Sequence, residues 1–391
     1  MANLVSPPVV DAENPGARSE AKRIPVSAAT ERLGSLDAFR GFVMLWIIGG
    51  EGLMLGLAAL GHNRVIDAIV YELSHTPWQG LRFYDCIWPS FMLMVGVSVP
   101  LSFAKRSLTQ SYHQQLVHAA QRALVLFLLG SLRESVLVGS PYLVELSSAL
   151  QPIAMAYFVA FLVVRKTWHF QAVLAAVILA GYGLVVAFIP APGVSGGSYQ
   201  YNHNLVHSVD IALLGQIHWD RWPYAKEGWG TVLSTIPTIA TTLIGLLIGE
   251  LLMTDRSKEN KAKVIGGLGL GCIAAGYATS FVVPVVMKMW TTSYGLMSAG
   301  WACLMFLFFY WLVDIRGYKR WAFPLTVIGM NAIFIYMFTS LIHLDPIVDP
   351  FTREIARVWP SSELLFQQVA VLAVEWLILF WMYRRKIMLR A

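Results

Sequence analysis

An all-α, polytopic integral membrane bundle is the fold this sequence predicts, and three observations carry that reading. Of 391 residues, 57% are apolar and only 13% are charged, about half the charge of an ordinary soluble domain. The apolar residues gather into ten stretches, each near the ~20 residues needed to cross a bilayer. The net charge of +6 sits in short basic clusters between those stretches, where Lys and Arg set topology. The lipid bilayer, not nucleic acid, is the partner this pattern implies. Cys86, Cys272 and Cys303 fall in or beside apolar stretches without ligand-like spacing, so neither a metal site nor a disulfide framework is expected.

Residues 1–31, with Pro7, Pro8, Pro15 and Pro25 among small and charged neighbours, lack the apolar core of a signal peptide. They read as a disordered cytoplasmic tail. Spans are expected at about 40–60, 84–104, 115–132, 143–164, 170–190, 231–253, 264–284, 293–313, 321–343 and 362–383. An even number places both termini on one side. With that side cytoplasmic, only Arg64, Arg82, Arg133, Arg221, Lys226, Lys288, Arg353 and Arg357 of the 29 Lys and Arg lie outside, a positive-inside bias. The outer connections are then 61–83, 133–142, 191–230, 285–292 and 344–361. The long one, 191–230, carries His203, His207, Asp210, His218, Trp219, Asp220, Trp222 and Trp229. Two readings stand for it: an interfacial aromatic belt, or a lid whose rings stack on a sugar.

Ionisable groups inside spans are costly and mark function or pairing. Glu51, Asp85, Glu145, Glu250, Asp314 and Glu375 are the candidates. Glu250, Asp314 and Glu375 lie near span ends or on less informative helices and read as structural. Glu51 stands eleven residues beyond Arg40, ~16 Å along a helix and thus near mid-membrane. Gly49, Gly50 and Gly52 flank it, a run expected to loosen the helix and open a cavity; a carboxylate capped by a neighbouring helix is the alternative. His75 precedes Asp85 by ten residues, in a connection short enough to fold back on both helix ends. A carboxylate on one imidazole nitrogen fixes the tautomer and raises basicity, so His75, Asp85 and Glu51 form a candidate general-base cluster.

The stretches Ser35–Gly41, His75–Asp85, Ile87–Gly96, Ser234–Ala240, Trp290–Tyr294 and Gly329–Ile333 resemble the heparan-alpha-glucosaminide N-acetyltransferase family, and the bacterial branch most closely, from Arg32 to the end. The resemblance implies an enzyme of the bacterial cytoplasmic (inner) membrane. It would move an acetyl group from cytoplasmic acetyl-CoA to the amine of an amino sugar on the other side. His75 matches the family's catalytic histidine. Where lysosomal members carry a catalytic asparagine, this chain has Glu51; they also carry a luminal domain and a further span, so a free or short-chain amino sugar is the expected acceptor.

Roles follow from that implication. His75 is the base, oriented by Asp85 or Glu51, with an acetyl-histidine as the covalent variant. Asn331 or Ser293 would hydrogen-bond the oxyanion or the sugar, which Trp78 and Trp290 would also contact. Coenzyme A is polyanionic, so inner-face cations should hold it: Arg40, braced by Asp37 one turn earlier, and Arg122. Gln151, at a kink made by Pro152, either faces the coenzyme channel or packs between helices. Two rival functions remain, a secondary transporter of amino sugars and a membrane O-acyltransferase of cell-surface glycans. Gly266, Gly267, Gly269 and Gly271 suit either a homodimer or packing within one chain.

Overall fold

The computed structural model describes residues 33–144, 146, 148–215, 228–356 and 359–389. The tail 1–31, Glu145, and His218, Trp219, Asp220 and Trp222 of the long loop lie outside the described residues. The helices are α1 (Gly34–Ala59), α2 (Arg64–Leu73), α3 (Ile87–Arg106, entered through a 3-10 turn at Tyr84–Cys86), α4 (Tyr112–Val138), α5 (Leu150–Val163), α6 (Trp168–Phe188) and α7 (Leu205–Leu214). They continue with α8 (Val232–Leu252), α9 (Lys258–Ser280), α10 (Thr292–Phe309), α11 (Phe323–Met330), α12 (Ala332–Leu341), α13 (Asp345–Ala356) and α14 (Glu363–Arg384). A π-helical turn, Tyr310–Ile315, extends α10. Two-residue strands β1 (Tyr199–Gln200) and β2 (His203–Asn204) pair antiparallel in the long loop.

Among the described residues, eight helices are long and apolar enough to cross a membrane: α1, α3 with its leading turn, α4, α6, α8, α9, α10 with its π turn, and α14. This is a multi-pass membrane protein. The other two expected spans take different forms. The 321–343 stretch is broken into α11 and α12, which meet at 75°. Asn331 sits at the break; its Nδ2 donates to the Ile387 carbonyl at 3.1 Å and its Oδ1 accepts from the Leu389 N–H at 3.0 Å. A polar side chain committed to another segment there replaces helix continuity. The 143–164 stretch yields only the 14-residue α5, ~21 Å long against a ~30 Å hydrocarbon core. Gln151 explains the shortfall, because its Nε2 holds the Leu143 carbonyl (2.9 Å) and its Oε1 the Leu146 N–H (3.0 Å), keeping the preceding backbone out of the helix.

Helices also occupy connections where the pattern gave only loops. α2 is capped by Asn63, whose side chain accepts from the Val65 and Ile66 N–H groups, each at 2.9 Å. α7 and α13 fill parts of 191–230 and 344–361.

Glycine sets the closest approaches. A Cβ on Gly41 of α1 would lie 1.7 Å from the Leu325 carbonyl oxygen of α11, and one on Gly96 of α3 would lie 1.9 Å from the Thr242 carbonyl oxygen of α8. These pairs therefore touch backbone to backbone. α1 packs against α3 and α12, α12 against α4, α4 against α5, and α5 against α3. The five close a ring. Asp85 and Ser98 on α3 and its leading turn are thirteen residues apart, so the bundle offers two ends separated by ~20 Å. One end carries His75, the other Arg40.

Candidate active site

His75 lies in the connection between α2 and α3, and the structure brings it to Asp85. His75 Nδ1 is 2.8 Å from Asp85 Oδ1. The Asp85 side chain is fully buried, whereas that of His75 is 44% exposed, so the pair runs from the interior to an accessible ring. A buried carboxylate needs its lone pairs satisfied. Thr76 Oγ1 donates to Asp85 Oδ2 at 2.5 Å, the Arg82 N–H at 3.0 Å and the Thr76 N–H at 3.4 Å. Tyr294 of α10 donates its hydroxyl to the Asp85 backbone carbonyl at 2.7 Å. The loop is thus wrapped around one carboxylate, and that carboxylate fixes the histidine: with Nδ1–H given to Asp85, Nε2 is the basic nitrogen.

Aromatic rings and cations frame the imidazole. Tyr84 lies 4.7 Å from it, centroid to centroid, and Trp229 approaches edge-on at 5.8 Å. Lys288 sits over the Trp229 ring at 5.6 Å. Arg82 reaches back to Ser74 Oγ (2.5 Å) and the His75 carbonyl (3.1 Å). The Tyr84 hydroxyl donates to the Trp46 carbonyl at 3.3 Å. The Tyr84 ring packs on Gly50, the neighbour of Glu51 in α1, and on His75. Glu51 is exposed, and its carboxylate makes no hydrogen bond or ion pair among the described residues. The glycines around it do not loosen the helix, which is continuous from Gly34 to Ala59. They admit neighbours instead: a Cβ on Gly50 would meet the Tyr84 ring at 2.5 Å, and one on Gly52 the Gln368 amide at 2.1 Å.

Arg40 and Asp37 pair as expected, Nη1 to Oδ1 at 3.3 Å, and Arg40 Nη2 donates to Ser98 Oγ of α3 at 3.2 Å. The Arg40 side chain stays 27% exposed. Arg122 of α4 lies over the Tyr157 ring of α5 at 4.9 Å. Its Nε is buried and has no hydrogen-bond partner among the described residues.

The remaining expected site residues are not brought to His75. Asn331 belongs to the Arg40 end, since Gly329 packs on the Asp37 carbonyl. Ser293 is fully buried and donates to the Pro284 carbonyl at 2.9 Å, closing the turn before α10. Trp290 is 1% exposed, edge-on to Trp88 and Tyr294 at 4.9 and 5.3 Å; it is core. Trp78 donates its indole N–H to the Tyr199 carbonyl at 2.8 Å and holds the β1–β2 hairpin. Gln151 also binds Ser131 Oγ at 3.0 Å and ties α5 to α4. The acids read as structural include Glu250, which accepts from Gln171 Nε2 at 2.7 Å, and Asp314, which accepts the Ser35 N–H at 3.2 Å. Glu375 is buried in α14.

Sequence reasoning missed Thr76, Arg82, Tyr84 and Ser98. Three of these flank His75 or Asp85 in the chain, where a buried acid's need for donors was the available signal. Ser98 gave none.

A multi-pass helical protein with a carboxylate-held imidazole at one mouth is the class that fold and site define. A model of the family described as Domain of unknown function (DUF5009) matches residues 32–245, more than half of the chain, and the chain belongs to that family. The match takes in Asp37, Arg40, Glu51, His75, Asp85, Arg122 and Gln151 but stops short of Trp290, Ser293 and Asn331. The chain is also similar to two proteins named heparan-alpha-glucosaminide N-acetyltransferase. It is 22% identical to that of Homo sapiens over 435 residues, covering 93% of this chain and 60% of the relative. It is 22% identical to that of Mus musculus over 425 residues, covering 92% and 60%. The chain thus spans about three fifths of the length of these curated relatives.

Proposed function

We propose that this protein is a membrane acetyltransferase that transfers the acetyl group of acetyl-CoA to the amine of an amino sugar, with His75 as general base. The observation that carries the reading is the His75–Asp85 contact, 2.8 Å long and anchored on a fully buried carboxylate. The name borne by the human and mouse relatives supports the reaction class. In the step, the neutral amine nitrogen attacks the thioester carbonyl carbon and gives its proton to His75 Nε2. The C–S bond then breaks, and the imidazolium returns the proton to the departing thiolate. Asp85 holds the ring and stabilises its charged form, as the acid of a catalytic triad does. Glu51, next to Gly50 in α1, attracts the ammonium form of the acceptor to the mouth before it loses its first proton. Trp229 gives the sugar an apolar face to stack on.

The coenzyme's charged nucleotide end rests at the opposite end of the bundle, on the cytoplasmic side. Arg40 keeps accessible surface there, and the buried Arg122 Nε lacks a partner among the described residues; a buried donor without an acceptor is costly and suits a phosphate or a carbonyl. Both arginines come from the five-helix ring, and the slender pantetheine arm runs within it toward His75. Asn331, Ser293, Trp290, Trp78 and Gln151 take supporting places in this reading. The acceptor is a free or short-chain amino sugar, and the membrane is a bacterial inner membrane.

Purified protein supplied with acetyl-CoA and glucosamine tests this. Free thiol and N-acetylglucosamine should appear together, and His75→Ala should cut turnover ~10²–10⁴-fold while the chain stays folded, because the ring is a surface group. Uptake of sugar into proteoliposomes without product would make it a carrier. An alkali-labile ester product would make it an O-acyltransferase.

A further inference from the structure

On the outside of the bundle, α9 and α10 flank an open groove of about 600 Å³, lined chiefly by Lys263, Gly266, Gly267, Leu270, Phe308 and Trp311. Its volume lies within the ~300–1,000 Å³ usual for ligand sites. The glycines of α9 divide by face. Gly269 and Gly276 pack on α10, where a Cβ would meet Leu304, Cys303 or Met297 within 3.1 Å, whereas around Gly267 and Gly271 there is nothing within 4 Å. Of these two, Gly267 lines the groove and smooths its floor. Leu270, Phe308 and Trp311, 61%, 52% and 42% exposed, make its apolar walls.

The groove also has a charged end. Lys263 lies five residues into α9, ~8 Å from its start, where headgroups meet the hydrocarbon. It is exposed. Glu259, one turn earlier, forms no ion pair with it among the described residues. Arg316 sits over the Trp311 ring at 4.9 Å. The π turn that carries Trp311 closes with the Arg316 N–H on the Trp311 carbonyl at 2.9 Å, so this cation stays beside a ring that lines the groove.

We infer that the groove seats an anionic phospholipid. One acyl chain lies along Gly266, Gly267 and Leu270 against the two aromatic rings, and the phosphate meets Lys263 and Arg316. Basic pockets between membrane helices are suited to anionic headgroups. A second copy of this chain fits the groove less well. A two-fold axis along the membrane normal places both Lys263 side chains at equal depth, facing one another, and like charges repel most strongly where water is scarce.

Native mass spectrometry of the purified full chain, offered phosphatidylglycerol and phosphatidylcholine of identical acyl chains in equal amounts, tests the inference. Phosphatidylglycerol adducts should dominate, and Lys263→Gln or Arg316→Gln should each reduce that preference about fivefold. Gly267→Leu, which fills the floor, should deplete adducts of both lipids with the melting temperature retained. Equal retention of the two lipids by the wild type, or a preference unchanged in both charge variants, would overturn the proposal. Disulfide-linked dimers formed by Gly267→Cys in native membranes, in a Cys272→Ser background, would overturn it in favour of a second copy.

Discussion

The two ends of the bundle are built by opposite means. At the His75 end the chain leaves helical structure, and buried carboxylates hold it in place: Asp85 gathers His75, Thr76 and Arg82, while Asp210 gathers Thr231 and Val232. At the Arg40 end, helices meet directly through glycine, with Gly41 against Leu325 and Gly329 against the Asp37 carbonyl. The first construction places a side chain to within the tolerance of a few hydrogen bonds. The second leaves a cation on a rigid wall with part of its surface open. Proton transfer requires the former, whereas holding a charged, flexible nucleotide requires only the latter.

If that contrast is right, the largest effect should come from the carboxylate that organises the loop. Asp85→Asn retains size but loses the charge that fixes the His75 tautomer, so turnover should fall ~10²–10⁴-fold with acetyl-CoA binding nearly unchanged. Single-turnover and equilibrium-binding measurements separate the two. Equal losses in both would mean that Asp85 merely holds the fold.

Two glycine substitutions on one helix sharpen the comparison. A Cβ on Gly41 meets a backbone carbonyl oxygen at 1.7 Å, whereas one on Gly50 meets the movable Tyr84 ring at 2.5 Å. Gly41→Ala should therefore destabilise the protein by ~1–3 kcal/mol or more, read as a lowered melting temperature. Gly50→Ala should cost less stability but shift Tyr84 against His75 and reduce turnover. The reverse ranking in the two assays would break the distinction between the ends. Arg40→Ala should act more mildly and on binding alone, raising KM for acetyl-CoA about tenfold, as loss of one charged hydrogen bond implies, with kcat retained.

How much of this was legible in the sequence depended on which force decided each feature. Apolar stretches gave the long spans because lipid demands them of any span. The two that failed, at 143–164 and 321–343, were decided by single amides: Gln151 bonds backbone five and eight residues before it and Asn331 backbone 56 and 58 residues after it, and neither leaves a periodic trace. The His75–Asp85 pair was legible because both residues lie in one short connection entering a helix. Ser293, Trp290 and Asn331 lie far along the chain, and polarity or aromaticity alone could not tell a site residue from one that closes a turn or fills the core. The Gly-Gly-Glu-Gly run misled for a related reason. Glycine permits a break and close packing equally, and only the Tyr84 and Gln368 side chains resting against α1 decide between them.

The smallest effect concerns the second carboxylate. Asp210, fully buried on α7, accepts from Thr231 Oγ1 at 2.8 Å and from the Thr231 and Val232 N–H groups, each at 3.0 Å, docking the long loop on the start of α8. Burial pushes its carboxyl up from the ordinary 3.8 to about 6, outweighing the three hydrogen bonds that favour the anion. A pKa raised by folding means that the docked state binds the proton more tightly than the unfolded chain. The resulting stabilisation is complete below about 4 and is lost as pH rises through about 6. The melting temperature of the wild type relative to Asp210→Asn, which stays neutral throughout, should therefore decline between pH 4 and pH 7, by on the order of 1–3 °C. A difference that grows with pH over the same interval would show instead that the hydrogen bonds to the anion prevail over its burial, and that the loop is held in the same way as the His75 connection.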